Sequence, residues 1–263
     1  MDIVEKSFLN QENVCIALGI PKDPIAKQDL KDLCLEAAED GISFIALDKT
    51  EHAEGRVVGF VINKLQVNEP GPSFFEKHAA RCRSRNAKEL IQIMIDIDDK
   101  CQLFENSQVD CIGEIMFMGI LPEYTNNKLG TYLGIASVEC LLFLKLGVNL
   151  KLDLDGNPMP IQPVPRGVCC IYSSKYIKNI WKNVPDDNIS FIAIEIPYKA
   201  FHRNGKLFSD FINTTIHEKL GVVYLNFDLI TEEVFDAHFR SKGLAKRQFV
   251  EMARKHGFGE FYE

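Results

Sequence analysis

The run Glu114 to Leu121 (EIMFMGIL) is apolar almost throughout and stops at Pro122. A run of that length and content is a buried strand, and proline, which has no backbone N–H, ends it. A short polar loop follows, and Lys128 to Lys145 then forms an apolar helix with Gly130 near its start. Strand, turn and helix in this order bring unpaired amides and the positive end of a helix dipole to one place, which is an anion site. Neither G-x-x-x-x-G-K-[ST] nor G-x-G-x-x-G occurs here, so it is neither a Walker loop nor a dinucleotide loop. The stretch Leu129 to Gly147 is nearly long enough to span a bilayer. Glu139 and Lys145 interrupt it, and a buried helix is the expected state.

Residues 4 to 18 predict a short helix with Phe8, Val14 and Ile16 on its apolar side, and Pro21 and Pro24 break the chain after it. Leu30, Leu33, Ala37 and Ala38 give a helical face over Asp29 to Asp40, which Gly41 ends. Ser43 to Asp48 and Arg56 to Val67, rich in β-branched residues around a polar turn, predict an antiparallel hairpin. A helix over Ser73 to Arg85 follows. A second is expected to be capped by Asn86 with Glu89, and it buries Leu90, Met94, Ile97 and Cys101. Val168 to Tyr172 is a strand, and Ser173 and Ser174 open a helix through Trp181. Ile189 to Ile196 and Val222 to Ile230 are strands, and Thr231 caps a last helical region. This order predicts an α/β fold with a mixed sheet. Residues 1–230 form one domain in this reading, and 231–263 form a C-terminal helical extension.

The formal net charge is −7 over 263 residues, without the basic surplus of a nucleic-acid binder. The N-terminus lacks the basic and apolar regions of a secretory signal. The eight cysteines are scattered and contain no C-x-x-C, so reduced, buried thiols in a cytoplasmic, monomeric protein are expected. Cys169 and Cys170, adjacent on a strand, are expected to face opposite ways. No H-x-x-x-H pair exists. Asp153-Leu-Asp155-Gly156 fails as a calcium loop because Lys151 and Gln162 fall at its first and twelfth positions. No metal is expected. Arg81, Arg83, Arg85 and Lys88 read as a solvated helix face rather than a phosphate site.

Pro122, Tyr124, Leu129, Gly130, Thr131 and Leu133 resemble the Pro-x-Tyr turn and the Arg/Gln-x-x-Gly-x-Gly/Ala helix start of the GNAT superfamily of N-acetyltransferases. Thr125 stands at the Arg/Gln position and Lys128 at the first Gly. Four further segments are similar to the insect arylalkylamine N-acetyltransferase-like branch. They are Phe8 to Val14, Gly55 to Phe60, Ile171 to Tyr176, and Ile196 through Phe208 with Gly205 in the turn. The resemblance covers roughly residues 5 to 230. It implies a GNAT fold: a central mixed, mostly antiparallel twisted sheet flanked by helices and splayed at the strand that binds acetyl-CoA.

The resemblance also implies roles. Acetyl-CoA would be co-substrate and a small, arylalkylamine-like amine the acceptor, with no nucleic-acid or membrane partner. Glu12 would be the base that lets a protonated amine attack. Otherwise it is a surface helix residue. Met118, Gly119 and Ile120 would form the strand edge that holds the thioester, where a backbone amide meets the oxyanion. Asn126, Asn127, Lys128, Leu129, Gly130 and Thr131 would hold the pyrophosphate, and Tyr176 would touch the coenzyme. Ser173 would pass a proton to the leaving thiolate or cap the next helix. Asn13 stands where the branch has proline, and Ile177 where it has a second serine. With Thr125 and Lys128 these departures leave a second reading open: a catalytically impaired protein of this fold that binds acyl-CoA or a partner.

Overall fold

The computed structural model describes residues 1–50, 53–181, 190–203 and 205–230. The expected extension from Thr231 lies outside the described residues. The elements are α1 (Asp2–Val4), a π-helical turn Glu5–Leu9, α2 (Asn13–Leu18), α3 (Pro24–Ala38), β1 (Phe44–Asp48), β2 (Arg56–Val67), α4 (Phe74–Arg81), α5 (Arg85–Cys101), α6 (Leu103–Ser107), β3 (Cys111–Ile120), α7 (Leu129–Lys145), β4 (Gly167–Tyr172), α8 (Lys175–Trp181), β5 (Ser190–Pro197), β6 (His202–Arg203), β7 (Lys206–Leu207) and β8 (Lys219–Asn226).

Six strands form one sheet in the order β1-β2-β3-β4-β8-β5, and β6 and β7 form a small hairpin turned at Gly205. Neighbours in the main sheet are antiparallel except β3 and β4, which are parallel. The expected mixed, mostly antiparallel sheet is therefore present. Two apolar cores cover its faces. One joins α2, α3 and α5 to Phe60, Ile62, Ile112 and Tyr224. The other joins α7 and α8 to Val61, Ile115, Val168, Cys170 and Val223. Cys169 belongs to the first core and Cys170 to the second, as strand alternation requires. All eight cysteines are free thiols.

One irregularity in β3 shapes the functional end of the sheet. Ile115 pairs with Asn63 and Phe117 with Ile62, so Met116 is an extra residue, a β-bulge. The bulge reverses the alternation. Met118 and Ile120 pack on the α7 side with Ile115, while Phe117 turns to the other core. Gly119 then faces the N-terminal segment. A Cβ there would lie 2.4 Å from the Ser7 hydroxyl and 2.6 Å from the Phe60 ring, so glycine lets the π-helical turn pass close.

Several expected boundaries move for local reasons. The helix over 4 to 18 is broken. The Glu12 carboxylate accepts N–H bonds from Val14 and Cys15 and restarts the chain as α2, leaving Ile16 exposed. Pro24 does not break α3 but occupies its first turn, with Asp23 as cap. Ser84 rather than Asn86 caps α5, because the Asn86 amide is drawn to the Asp23 carboxylate. The stripe Leu90, Met94, Ile97 and Cys101 is buried as expected. Arg81 and Arg83 pair with Glu36 and Asp29. Among the described residues no helix is long and apolar enough to cross a membrane.

Glu114 is buried on the α5 side of β3. Gln66 donates to one of its oxygens at 2.8 Å, and the other has no hydrogen-bond partner among the described residues. Burial pushes its carboxyl up to about 7, and burial with the Glu114 charge raises Asp98 on α5 as well. The folded chain thus holds a proton that the unfolded chain releases near pH 4.3. Stability attributable to Glu114 is complete below that pH and falls as pH rises toward 7. Urea unfolding measured from pH 4.5 to 7.5 is expected to show the wild type losing stability relative to Glu114→Gln as pH rises.

Candidate functional site

The parallel pairing of β3 with β4 covers Gly113–Ile115 against Val168–Cys170 and goes no further. Beyond it β3 runs on to Ile120 paired only with β2, and β4 runs on to Tyr172 paired only with β8. The two strands part, and a cavity of about 790 Å³ opens between them. Its walls include the π-helical turn and the start of α2 on one side, and the starts of α7 and α8 on the other. The floor at the fork is apolar: Ile115, Cys170 and Trp181.

The turn after β3 is tied to the first hairpin. Tyr124 donates to Asp48 at 2.6 Å, and Arg56 pairs with Glu123 at 2.7 Å, so both anchors reach the β1–β2 hairpin. The Asp48 carboxylate raises the Tyr124 phenol above its ordinary pKa. Thr125 donates its hydroxyl to the Pro122 carbonyl, closing the turn where the resemblance places a cation. Asn126 and Lys128 adopt left-handed backbone with φ of 66° and 59°. Lys128, standing where the resemblance has glycine, thus takes the glycine-like conformation itself, at about 1 kcal/mol of strain.

That geometry turns a row of amides outward. Among the described residues no hydrogen bond is made by the backbone N–H groups of residues 126 to 131, and no side chain caps α7. The Lys128 side chain is exposed and, among the described residues, makes neither an ion pair nor a bond to the loop. A row of free amides, a helix N-terminus and an unpaired ammonium suit a multiply charged phosphate ester. The apolar cleft beneath suits a flexible, uncharged arm. Among the described residues no cluster of three His, Cys, Asp or Glu side chains could hold a metal ion.

The structure gathers nearly all the sequence-derived residues around this cavity. Glu12, Met118, Gly119, Ile120, Asn126, Lys128, Leu129, Gly130, Thr131, Ser173 and Tyr176 line it, and Asn127 does not. Glu12 is no ordinary surface residue: it caps α2, one oxygen bound to Val14 N at 2.9 Å and the other to Cys15 N at 2.7 Å. A carboxylate has about four acceptor positions, so lone pairs remain for a ligand. Ser173 does not cap α8. Ser174 does, accepting the Ile177 N–H, so the Ser173 hydroxyl is not committed to that cap; both serines line the cavity.

One wall residue carries no signal in the sequence. His217 lines the cavity, its ring edge-on to Tyr176 with centroids 5.3 Å apart. Its Nδ1 accepts the Lys175 N–H at 3.2 Å, so the neutral ring carries its proton on Nε2. Burial lowers its pKa, against the opposing pull of Glu12. No motif or spacing marks it. Because β8 runs antiparallel to β4, with Tyr172 opposite Gly221, the residues just before β8 sit beside those just after β4.

No family model matches the chain, and no curated protein sequence matches it. Solved structures do. The fold is similar to arylalkylamine N-acetyltransferase 2 from Aedes aegypti, with a TM-score of 0.64 at 17% identity, covering 85% of this chain and 91% of that one. It is similar to mosquito arylalkylamine N-acetyltransferase like 5b, with a TM-score of 0.64 at 14% identity, covering 86% and 92%. A third likeness, at TM-score 0.57 and 14% identity over 86% and 94%, is to the polyamine N-acetyltransferase of Drosophila melanogaster that forms N-acetylagmatine. The chain therefore has the GNAT fold, in the form found in insect arylalkylamine N-acetyltransferases.

The two adjacent serines are expected to separate in unfolding experiments. Ser174→Ala should cost about 1 kcal/mol through the lost α8 cap. Ser173→Ala should stay within about 0.5 kcal/mol of wild type.

Proposed function

We propose that the protein transfers an acetyl group from acetyl-CoA to a small amine by direct attack. The observation that carries this reading is the row of free amides from 126 to 131 at the mouth of a cleft between parted strands. Those amides and Lys128 bind the pyrophosphate. The apolar walls, including Ile135, Val138 and Ile177, take the pantetheine arm. The open edge of β3 from Met118 to Ile120 presents backbone groups to the thioester, and an amide there stabilises the oxyanion.

Glu12 accepts the proton of the ammonium, directly or through water, so that the amine nitrogen can attack the thioester carbon. As the C–S bond breaks, Ser173 stands where a hydroxyl can protonate the departing thiolate. The Nε2–H of His217 is a further donor on the same wall. Phe8, whose ring packs on the buried Phe117 with centroids 4.7 Å apart, gives the amine side an aromatic wall, which supports an acceptor with an apolar body. Cytoplasmic residence and a monomeric state complete this reading.

One observation favours a second reading, in which the protein binds acyl-CoA without turnover: both Glu12 oxygens already serve the α2 amides. Calorimetry and turnover separate the two. Acetyl-CoA is expected to bind saturably and to be consumed with arylalkylamines, thiol release being followed with a chromogenic disulfide. Lys128→Ala is expected to weaken coenzyme binding about threefold to tenfold, the worth of one exposed charge contact. Glu12→Gln, which retains an acceptor for the cap, is expected to lower kcat/KM about a hundredfold or more with coenzyme affinity unchanged. Coenzyme binding with no turnover across a broad amine panel would select the second reading, and absence of binding would sink both.

A further inference from the structure

The two walls of the cleft come from segments some 160 residues apart, and the Asn13 side chain bonds directly from one to the other. Asn13, the first residue of α2, donates from Nδ2 to the carbonyl of Ser173 at 2.6 Å. Tyr198, fully buried after β5, donates its hydroxyl to the same oxygen at 2.5 Å. A carbonyl has two lone pairs, and these donors fill both. Helix formation does not ask for this. Asparagine is a weak helix former whose side chain at this position ordinarily meets water. Here it is committed to a contact across the cavity, beside the cap residue Glu12.

We infer that Asn13 is a positioning residue: its amide holds the wall that carries Glu12 against the wall that carries Ser173 and sets the width of the cleft at its reacting end. The fixed carbonyl orients the peptide between Ser173 and Ser174. The Ser174 hydroxyl caps the Ile177 amide, and Ser173 lines the cavity without that commitment. Tyr198, buried in the same core as α2, supports the carbonyl from below, and Asn13 supplies the direct bond from α2 itself. The kinetic consequence rests on the acetyl-transfer reading, whereas the clamp itself does not.

The test uses the full-length chain with Asn13→Asp and Asn13→Ala. Asp keeps the size and suits a helix N-terminus, but puts an acceptor where a donor was. Both variants are expected to fold, as judged by circular dichroism. Amide hydrogen exchange over residues 174–178 is expected to rise about tenfold in both, with α3 unchanged. Turnover is expected to fall about tenfold to a hundredfold while acetyl-CoA affinity stays within about twofold, because the coenzyme loop is untouched. Unchanged exchange over 174–178 would overturn the clamp whatever the activity. Faster exchange with unchanged kcat would overturn the positioning role. A wild type that turns over no amine would sink the acetyl-transfer reading instead, and exchange alone would then decide the clamp.

Discussion

Parallel pairing between β3 and β4 ends after Ile115 and Cys170, and the rest of the site depends on that parting. Backbone N–H and C=O groups on a strand edge need partners, and an edge left open inside a domain is a binding surface. The Met116 bulge sits at the fork and settles which side chains face each core. It turns Met118 and Ile120 toward α7 and leaves Gly119 as the point of closest approach for the N-terminal segment. The helix that begins just beyond β3 then carries its free amides to the mouth of the same opening. Cleft and floor are thus consequences of a single break in sheet pairing, and the loop of free amides lies at its mouth.

The departures from the resembled pattern each do local work. Thr125 closes the turn it belongs to, Lys128 adopts the left-handed backbone itself, and Asn13 reaches the Ser173 carbonyl. Ile177 packs into the second core and lines the cavity. The far wall is similarly knit. Glu195 accepts from Tyr172, Lys178 and Lys219, and those donors hold its carboxyl down at about 2. In the proposed reaction Glu12 would meet two demands with one carboxylate, since capping α2 and accepting a substrate proton both draw on its oxygens.

Much of this fold is legible in the order of residues alone. The β3–turn–α7 unit, the β1–β2 hairpin and the buried stripe of α5 follow from periodicity, proline and turn chemistry, which act within a few residues. The misplaced caps and boundaries share one cause. Where two cap-forming residues lie close together, as Ser84 and Asn86 or Ser173 and Ser174 do, local pattern does not choose between them: Asp23 draws Asn86, and the Ile177 amide bonds to Ser174. The expected helix over 4 to 18 breaks for a complementary reason. A glutamate within an apolar periodic stretch looks like a base or a surface residue, yet here its carboxylate turns back on the next amides and caps a new helix.

The sequence by itself determined most of the main elements, their order, their apolar faces and the strand–turn–helix unit, because each arises from hydrogen bonds and burial patterns within one stretch of chain. Only the tertiary structure decided that β3 and β4 part after Cys170, that His217 stands opposite Tyr176, and that Asn13 reaches Ser173. Those facts depend on strand order and register, which bring together residues from both ends of the chain and which no local pattern encodes.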